Sequence, residues 1–292
     1  MSARLRGMAR QTQEIVEAGR YRAPGGHMVT IGGDLSAAVE GTRMFGPEPV
    51  PVVPDTDRFS VCEVSGESSL EAARRMTARG GGPVAVLNFA SARNPGGGFL
   101  NGAQAQEEAL CRASALYTTL LTAPGFYAHH RADRSPFYSD RVIHSPGVPV
   151  FRDDRGGLLD TPYTVGFLTS PAPNAGVITS RTPEQAGRIP QALGSRAERV
   201  LETAAATGYR RFVLGAWGCG VFRNDPAQVA EAFRALLTDG GRFAGHFDEI
   251  VFAVLDRTPG RTTLGAFREA FPAAVRADLR PPAVRPIPPA TP

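Results

Sequence analysis

The chain contains no lysine: all 32 of its basic residues are arginine. A GC-rich genome is enough to produce such a bias, but whatever its origin the absence excludes chemistry. There is no lysine to form a Schiff base. No glycine loop here is a Walker A site, because that site needs a lysine to reach the phosphates. Cysteine is scarce too, and Cys62, Cys111 and Cys219 are widely spaced. With no CxxC motif and no histidine pair at ligand spacing beside them, neither a disulfide framework nor a metal site is expected. His129 and His130 are adjacent in a loop-like stretch and read as surface residues. No apolar run reaches the ~18 residues of a membrane span. Met1 to Arg6 lacks the apolar core of a secretory signal. Both observations point to the cytoplasm and away from a membrane. The net charge of +4 is mild. It tolerates a polyanionic substrate without by itself marking a nucleic-acid binder.

What the chain does have is a length of 292 residues with 42% hydrophobic content, enough for a sizeable core. Residues 1–58 read as an N-terminal extension, with a helix-like run from Gln11 to Ala18 that stops at Gly19. Gly46 to Pro51 reads as an extended linker. Residues 276–292 are proline-rich and read as a disordered or polyproline tail. Between them, 59–275 alternate between strand-like and helix-like runs. Strands are expected at Phe59–Val64, Val84–Ala90, Arg141–His144, Tyr163–Leu168, Arg211–Ala216 and Glu249–Leu255. Helices are expected at Ser68–Ala78, with Ser68 and Glu71 as a capping box, and from about Ala103 to Leu121. Others fall at Pro183–Thr207, interrupted near Pro190 and Gly194, at Pro226–Leu237 behind the N-cap Asp225, and at Leu264–Ala270. This is an α/β pattern.

Two strand-to-helix loops are rich in glycine. The first, after Ala90, carries Asn94-Pro95-Gly96-Gly97-Gly98 and is followed by Gln106-Glu107-Glu108. The second, after Ala216, is Trp217-Gly218-Cys219-Gly220-Val221-Phe222. In open α/β sheets ligands sit beyond the carboxyl ends of the strands. If the two strands are neighbours, the loops form one cleft. Glycine lets backbone amides approach a ligand closely, and a helix start adds a field that favours anions. A triple glycine alone is equally a tight turn, but two such loops, one carrying acids, favour a ligand containing phosphate. Glu107 and Glu108 invite a glycosidase reading; as plain first-turn acids they would also be unremarkable. The two carboxyl groups of a glycosidase usually stand about 5–10 Å apart across the scissile bond, whereas consecutive helix residues point roughly 100° apart. One of the pair is therefore expected to be the acid/base and the other to hold substrate. Arg93 is placed either to pair with phosphate or to face solvent. Cys219 has no identifiable histidine partner, so a nucleophilic role is not supported.

The stretch from Asn88 to Glu108, with its triple glycine followed at short spacing by Gln-Glu-Glu, closely resembles the signature of bacterial-type poly(ADP-ribose) glycohydrolases. Gly215 to Phe222 resembles that family's second loop, and Tyr138 to Pro146 with Val150 to Asp153 is also similar. The likeness covers roughly residues 60–272. It implies a macrodomain-like three-layer sandwich, with a mixed, largely parallel sheet between helices and a helical extension at the N-terminus. It implies hydrolysis of the ribose–ribose glycosidic bonds of poly(ADP-ribose), releasing ADP-ribose; action from the chain end is expected, and chain-end against internal cleavage turns on whether the cleft is closed at one end. By the same resemblance Glu108 is the catalytic acid/base, and Glu107 and Gln106 bind substrate. Gly96, Gly97, Gly98, Gly218, Cys219, Gly220 and Val221 surround the diphosphate and terminal ribose. Phe222 positions that ribose, and Ser91 and Asn94 contact it. No cofactor or metal is implied. The implied partners are the polymer, ADP-ribose and poly(ADP-ribosyl)ated proteins, with the enzyme acting as a monomer. Glu108 would protonate the leaving ribose oxygen and then activate water, with the diphosphate and loop dipoles stabilising the positive charge that develops. To act as an acid near neutral pH it must hold its proton in a partly buried site beside Glu107 and the diphosphate. Glu63 and Ser65 depart from the family at the end of the first core strand, where adenine commonly lies, and Phe252 is a candidate to stack on that base. A non-catalytic ADP-ribose reader and a mono-ADP-ribosyl hydrolase are the alternatives.

Overall fold

Val84, Val86 and their neighbours Ala85 and Leu87 are all buried, yet they feed two different cores. Successive side chains of a strand point to opposite faces, so a strand apolar on both sides needs cover on both sides. That requirement sets the architecture. The computed structural model describes residues 2–55 and 60–272. Helix α1 (Ala3–Ala18), the hairpin β1 (Arg20–Arg22) and β2 (Met28–Thr30), α2 (Gly32–Gly41) and β3 (Arg43–Phe45) come first. Then follow β4 (Val61–Ser65), α3 (Ser69–Ala78), β5 (Val84–Phe89), α4 (Gln106–Ala113), α5 (Leu116–Leu121), α6 (Pro124–Ala132), β6 (Val142–Arg152) and β7 (Leu158–Ser170). The chain continues through α7 (Ala175–Arg181), α8 (Ile189–Ala206), β8 (Arg211–Gly215), α9 (Pro226–Leu237), β9 (Glu249–Ala253) and α10 (Thr262–Ala270).

The seven-stranded sheet runs β3-β6-β7-β5-β8-β9-β4. Its central pairings β7·β5, β5·β8, β8·β9 and β9·β4 are parallel, and β3·β6 and β6·β7 are antiparallel. One core holds Leu87, Phe212, Leu214 and Phe252 under α7 to α10; the other holds Val86, Val213, Val251 and Phe167 under α3 to α6. This is the expected three-layer sandwich with a mixed, largely parallel sheet. Each fully buried Leu, Val or Phe contributes about 1.5–3 kcal/mol.

Several expected elements differ in extent. The run from Ala103 to Leu121 is not one helix. Ser114 turns extended, bridges Val150, and leaves the Ala115 N–H to the Pro149 carbonyl at 3.1 Å, so α4 and α5 part there. The run from Pro183 does part near Pro190, where a 3-10 helix at Pro183–Arg188 gives way to α8, but the expected break at Gly194 does not occur. Pro190 sits in the first turn of α8, where its missing N–H costs nothing, and Gly194 lies between buried residues that hold the helix. His129 and His130 lie in α6 rather than a loop, and His130 is fully buried. Phe59 and the 276–292 tail lie outside the described residues.

The N-terminal segment contributes more than one helix: β3 joins the sheet edge through β6. Helix α1 packs behind α4. The Thr12 hydroxyl donates to the Arg112 carbonyl at 2.6 Å, and Arg152, itself buried, donates to Gln11 Oε1 at 3.0 Å and to the same Arg112 carbonyl at 3.3 Å. Thr12→Val keeps the shape and removes one hydrogen bond. It is expected to lower stability by about 1 kcal/mol, read as a shifted urea midpoint with an unchanged slope; an unshifted midpoint would show that α1 is not anchored there.

Candidate active site

Strands β5 and β8 are parallel neighbours, so both glycine loops leave the same edge of the sheet side by side. The first loop is shaped by the start of α4. Three successive side chains each accept an N–H from the strand and loop before them. Gln106 Oε1 accepts from Phe89 at 2.9 Å, Glu107 Oε2 from Ser91 at 2.7 Å, and Glu108 Oε1 from Gly98 at 2.9 Å. Gln106 also spends both amide hydrogens, on Leu87 O at 2.8 Å and Ser69 Oγ at 3.1 Å. Glu108 Oε2 accepts from the Ala105 N–H at 2.9 Å, closing the first turn of the helix. Glu107 Oε1 accepts from Asn88 Nδ2 at 3.2 Å, whose other bond goes to Thr169 Oγ1.

The two carboxyl groups leave the helix in different directions yet meet at Gly97. A Cβ on Gly97 would stand 2.5 Å from Glu108 Oε1 and 3.3 Å from Glu107 Oε2, and its φ is +56°. Only glycine combines that dihedral with that clearance. The rest of the loop is tied by Gly97 N–H to Asn94 O at 2.9 Å, Asn94 N–H to Ser91 Oγ at 3.3 Å, and Phe99 N–H to Gly96 O at 3.0 Å. Phe99 is buried as its anchor.

The second loop hangs from Trp217, whose buried indole donates to Ser170 O at 2.9 Å, and from Asn224, whose side-chain amide donates to Pro173 O at 2.8 Å and Gly218 O at 3.2 Å. Gly218 has φ +71°, and a Cβ there would strike Ala172 Cβ at 2.6 Å. Among the described residues, the Gly220, Val221 and Phe222 amides donate to no protein acceptor. Val221 is 80% exposed. Phe222 is half-buried with its ring 5.8 Å from that of Tyr138. Burial pushes the Cys219 thiol up to about 12, with Asp225 adding to the rise, so it is no thiolate nucleophile near neutrality.

The structure thus gathers Ser91, Asn94, Gly96–Gly98 and Gln106–Glu108 in one loop and Gly218–Phe222 in the next. It does not support Phe252 as a stacking partner for a base. That ring is fully buried, stacked on Phe271 at 4.3 Å and set edge-on to Phe233, because it faces the α9–α10 core. Glu63 pairs with Arg75, which also binds Glu67. Asn88, Thr169 and Tyr138 complete the site without having been singled out. Asn88 had a signal, as the one polar side chain in an otherwise apolar strand. Tyr138 had none, since its place depends on a loop far from Phe222 in sequence.

A mixed, largely parallel sheet between two helical layers, with two amide-rich loops leaving one sheet edge, is an architecture of the macrodomain type. The family described as microbial-type PARG, catalytic domain, matches residues 9–153. The chain is 54% identical to the poly(ADP-ribose) glycohydrolase of Thermomonospora curvata solved with the inhibitor ADP-HPD, covering 92% of this chain and 100% of that one with a TM-score of 0.87. It is 48% identical to the Deinococcus radiodurans enzyme solved with ADP-ribose, covering 84% and 99% with a TM-score of 0.79. No curated protein matches it. The chain belongs to the microbial-type poly(ADP-ribose) glycohydrolases.

Burial raises the Glu107 carboxyl to about 8, against the bonds from Ser91 and Asn88 that lower it and with a further rise from Glu108. The folded state therefore keeps a proton that the unfolded carboxylate has released. Stability should fall as pH climbs from about 4.5 to about 8 and level off above. Glu107→Gln removes that slope, so its stability relative to the parent should rise across the same window in urea melts; a pH-independent difference would contradict the assignment. Gly97→Ala is expected to destabilise by about 1–3 kcal/mol, because the new methyl displaces the Glu108 carboxylate from the Gly98 N–H. An unchanged melting temperature would show that the close approach is not tight.

Proposed function

We propose that the chain hydrolyses the ribose–ribose O-glycosidic bonds of poly(ADP-ribose), releasing ADP-ribose from the chain end, with Glu108 as general acid/base. It is a glycoside hydrolase by family. The observation that carries the residue assignment is the convergence of Glu107 and Glu108 on Gly97 in the first glycine loop.

Each oxygen of Glu108 accepts one backbone N–H. A carboxylate oxygen has capacity for a second partner, so one lone pair on each remains for a substrate proton or a water. Protonated Glu108 donates to the leaving ribose oxygen as the glycosidic bond breaks and an oxocarbenium-like centre forms. The resulting carboxylate takes a proton from water, whose oxygen bonds to that centre, and Glu108 is returned to its acid form. Glu107, fixed by Asn88 and the Ser91 N–H, faces the substrate hydroxyls. Gln106 has its amide spent on the protein, which supports a role in positioning the carboxyl pair against β5. The Gly220, Val221 and Phe222 amides suit the diphosphate, as oriented backbone donors do for anions, and the Phe222 ring suits one face of the terminal ribose. Ser91, Asn94, Gly96, Gly98, Gly218 and Cys219 shape the walls.

Residues 1–58 act as an extension that buttresses α4, and 59–275 as the catalytic unit. The enzyme works as a monomer in the cytoplasm on polymer carried by poly(ADP-ribosyl)ated proteins. Among the described residues no helix is long and apolar enough to cross a membrane.

Glu108→Gln keeps the acceptor for Gly98 or Ala105 and removes the transferable proton. It is expected to lower polymer hydrolysis by at least about a hundredfold while ADP-ribose affinity, by calorimetry, stays near that of the parent. Turnover like the parent's would refute the assignment. Polymer and mono-ADP-ribosylated protein offered side by side separate the substrate classes: release from polymer alone is expected.

A further inference from the structure

Beyond Phe222 the molecule has a second concavity that the cleft does not use. Arg93, Arg131, Arg134 and Arg181 line a cavity of about 440 Å³ together with Tyr138 and Asn174. Arg131, Arg134 and Arg181 are exposed and Arg93 is half-buried. Two of them bond to carbonyls, Arg93 to His130 O at 3.2 Å and Arg134 O at 3.3 Å, and Arg131 to Arg93 O at 2.8 Å. Among the described residues none of the four pairs with a carboxylate, whereas Arg75, Arg196, Arg199, Arg211, Arg234 and Arg242 each do. Asp133, in the same segment, is turned onto the Ser135 N–H at 2.9 Å. Four like charges around one hollow repel one another unless an anion fills it.

The wall between this cavity and the cleft is built rather than incidental. Tyr138 has φ +58°, an uncommon and strained conformation for a bulky residue. Ser139 and buried His130 hold it there: Ser139 Oγ lies 2.8 Å from His130 Nε2, and His130 Nδ1 lies 2.9 Å from Phe126 O. The Tyr138 ring lies 5.8 Å from that of Phe222, and the Arg93 guanidinium stands 6.0 Å from its centroid. Arg93 in turn sits two residues after Ser91, whose N–H fixes Glu107. Asn174 and Arg181 follow β7, the strand on the far side of β5 from β8. A polymer whose end unit spans the two loops and continues past Phe222 therefore meets these arginines next.

We propose that this cavity seats the diphosphate of a second ADP-ribose unit, one repeat along the same polymer from the unit in the cleft. The inference rests on the polymer reading above. Planar guanidinium forks match phosphate oxygens in pairs, and every repeat of the polymer carries a diphosphate. The site adds affinity for polymer without touching the reacting atoms, which gives the enzyme a preference for chains of two or more units over free ADP-ribose.

The test uses the full chain with Arg134→Ala/Arg181→Ala and, as a stronger change, Arg134→Glu/Arg181→Glu. Neither residue touches the glycine loops. KM for long polymer and for a two-unit oligomer is expected to rise about tenfold in the alanine variant and further in the glutamate variant. The salt dependence of KM should flatten, while kcat and the calorimetric affinity for ADP-ribose stay near the parent's. A polymer KM and salt dependence equal to the parent's would overturn the proposal. So would a parallel loss of ADP-ribose affinity, which would assign the arginines to the cleft or the fold. Loss of binding to single-stranded RNA with an unchanged polymer KM would assign the cavity to a different polyanion and overturn it as well. A parent enzyme that binds ADP-ribose but releases none from polymer would instead defeat the functional reading on which the inference rests.

Discussion

Three backbone amides, those of Phe89, Ser91 and Gly98, would be left without acceptors where β5 gives way to its glycine loop. The side chains of Gln106, Glu107 and Glu108 take them up in order, at 2.9, 2.7 and 2.9 Å. Buried amides must be satisfied, and here two of the three groups that satisfy them, Glu107 and Glu108, are those proposed to act on the substrate. One arrangement thereby fixes the path of the loop, the start of α4 and the place of both carboxyl groups. It also explains the glycine at position 97, since the carboxylates occupy the space a side chain would need. A catalytic group locked in this way needs little reorganisation at the moment of reaction, which is the main advantage of a preorganised site.

The rest of the fold serves that contact from two directions. Behind α4, Thr12, Gln11 and Arg152 clamp the helix to α1, so the N-terminal segment stiffens the element that carries the acids. In front, the parallel pairing of β5 with β8 brings the second loop alongside, and Trp217 and Asn224 hold it open with bonds to Ser170 and Pro173 at the end of β7. The unbonded amides of Gly220, Val221 and Phe222 thus lie in the loop next to the one that carries the carboxyl groups. The arginine cavity beyond Tyr138 extends the same logic outward, from the end unit of a polyanion to its neighbour.

Much of this was legible in the sequence because it depends on local rules. The capping box of Ser68 and Glu71, Asp225 and Pro226 at the head of α9, and the apolar runs of β5, β8 and β9 all appear as expected. The paired glycine loops were readable from the strand-loop-helix pattern, whereas their adjacency, conditional in the sequence, comes from the pairing of β5 with β8. What was not legible depends on partners distant in the chain. The break at Ser114 is imposed by Val150, and β6 runs on through Pro146 and Gly147 because a register shift between Ser145 and Val148 absorbs them. His130 looked like a surface residue until α6 buried it against Phe126 and Ser139. Phe252 looked available to a ligand, but strand alternation turns it into the α9–α10 core. The role of Gln106 as a link between α4, β5 and α3 required the position of Leu87 and Ser69, which no spacing reveals.

The central claim is that Glu108, held against Gly97, delivers the proton to the departing ribose. A crystal structure of Glu108→Gln with a two-unit ADP-ribose oligomer in the cleft tests it most directly. The account predicts the residue-108 side chain within about 3 Å of the glycosidic oxygen, with Glu107 on the neighbouring ribose hydroxyls. Glu107 at the glycosidic oxygen, with residue 108 turned away onto the Gly98 and Ala105 amides alone, would contradict it.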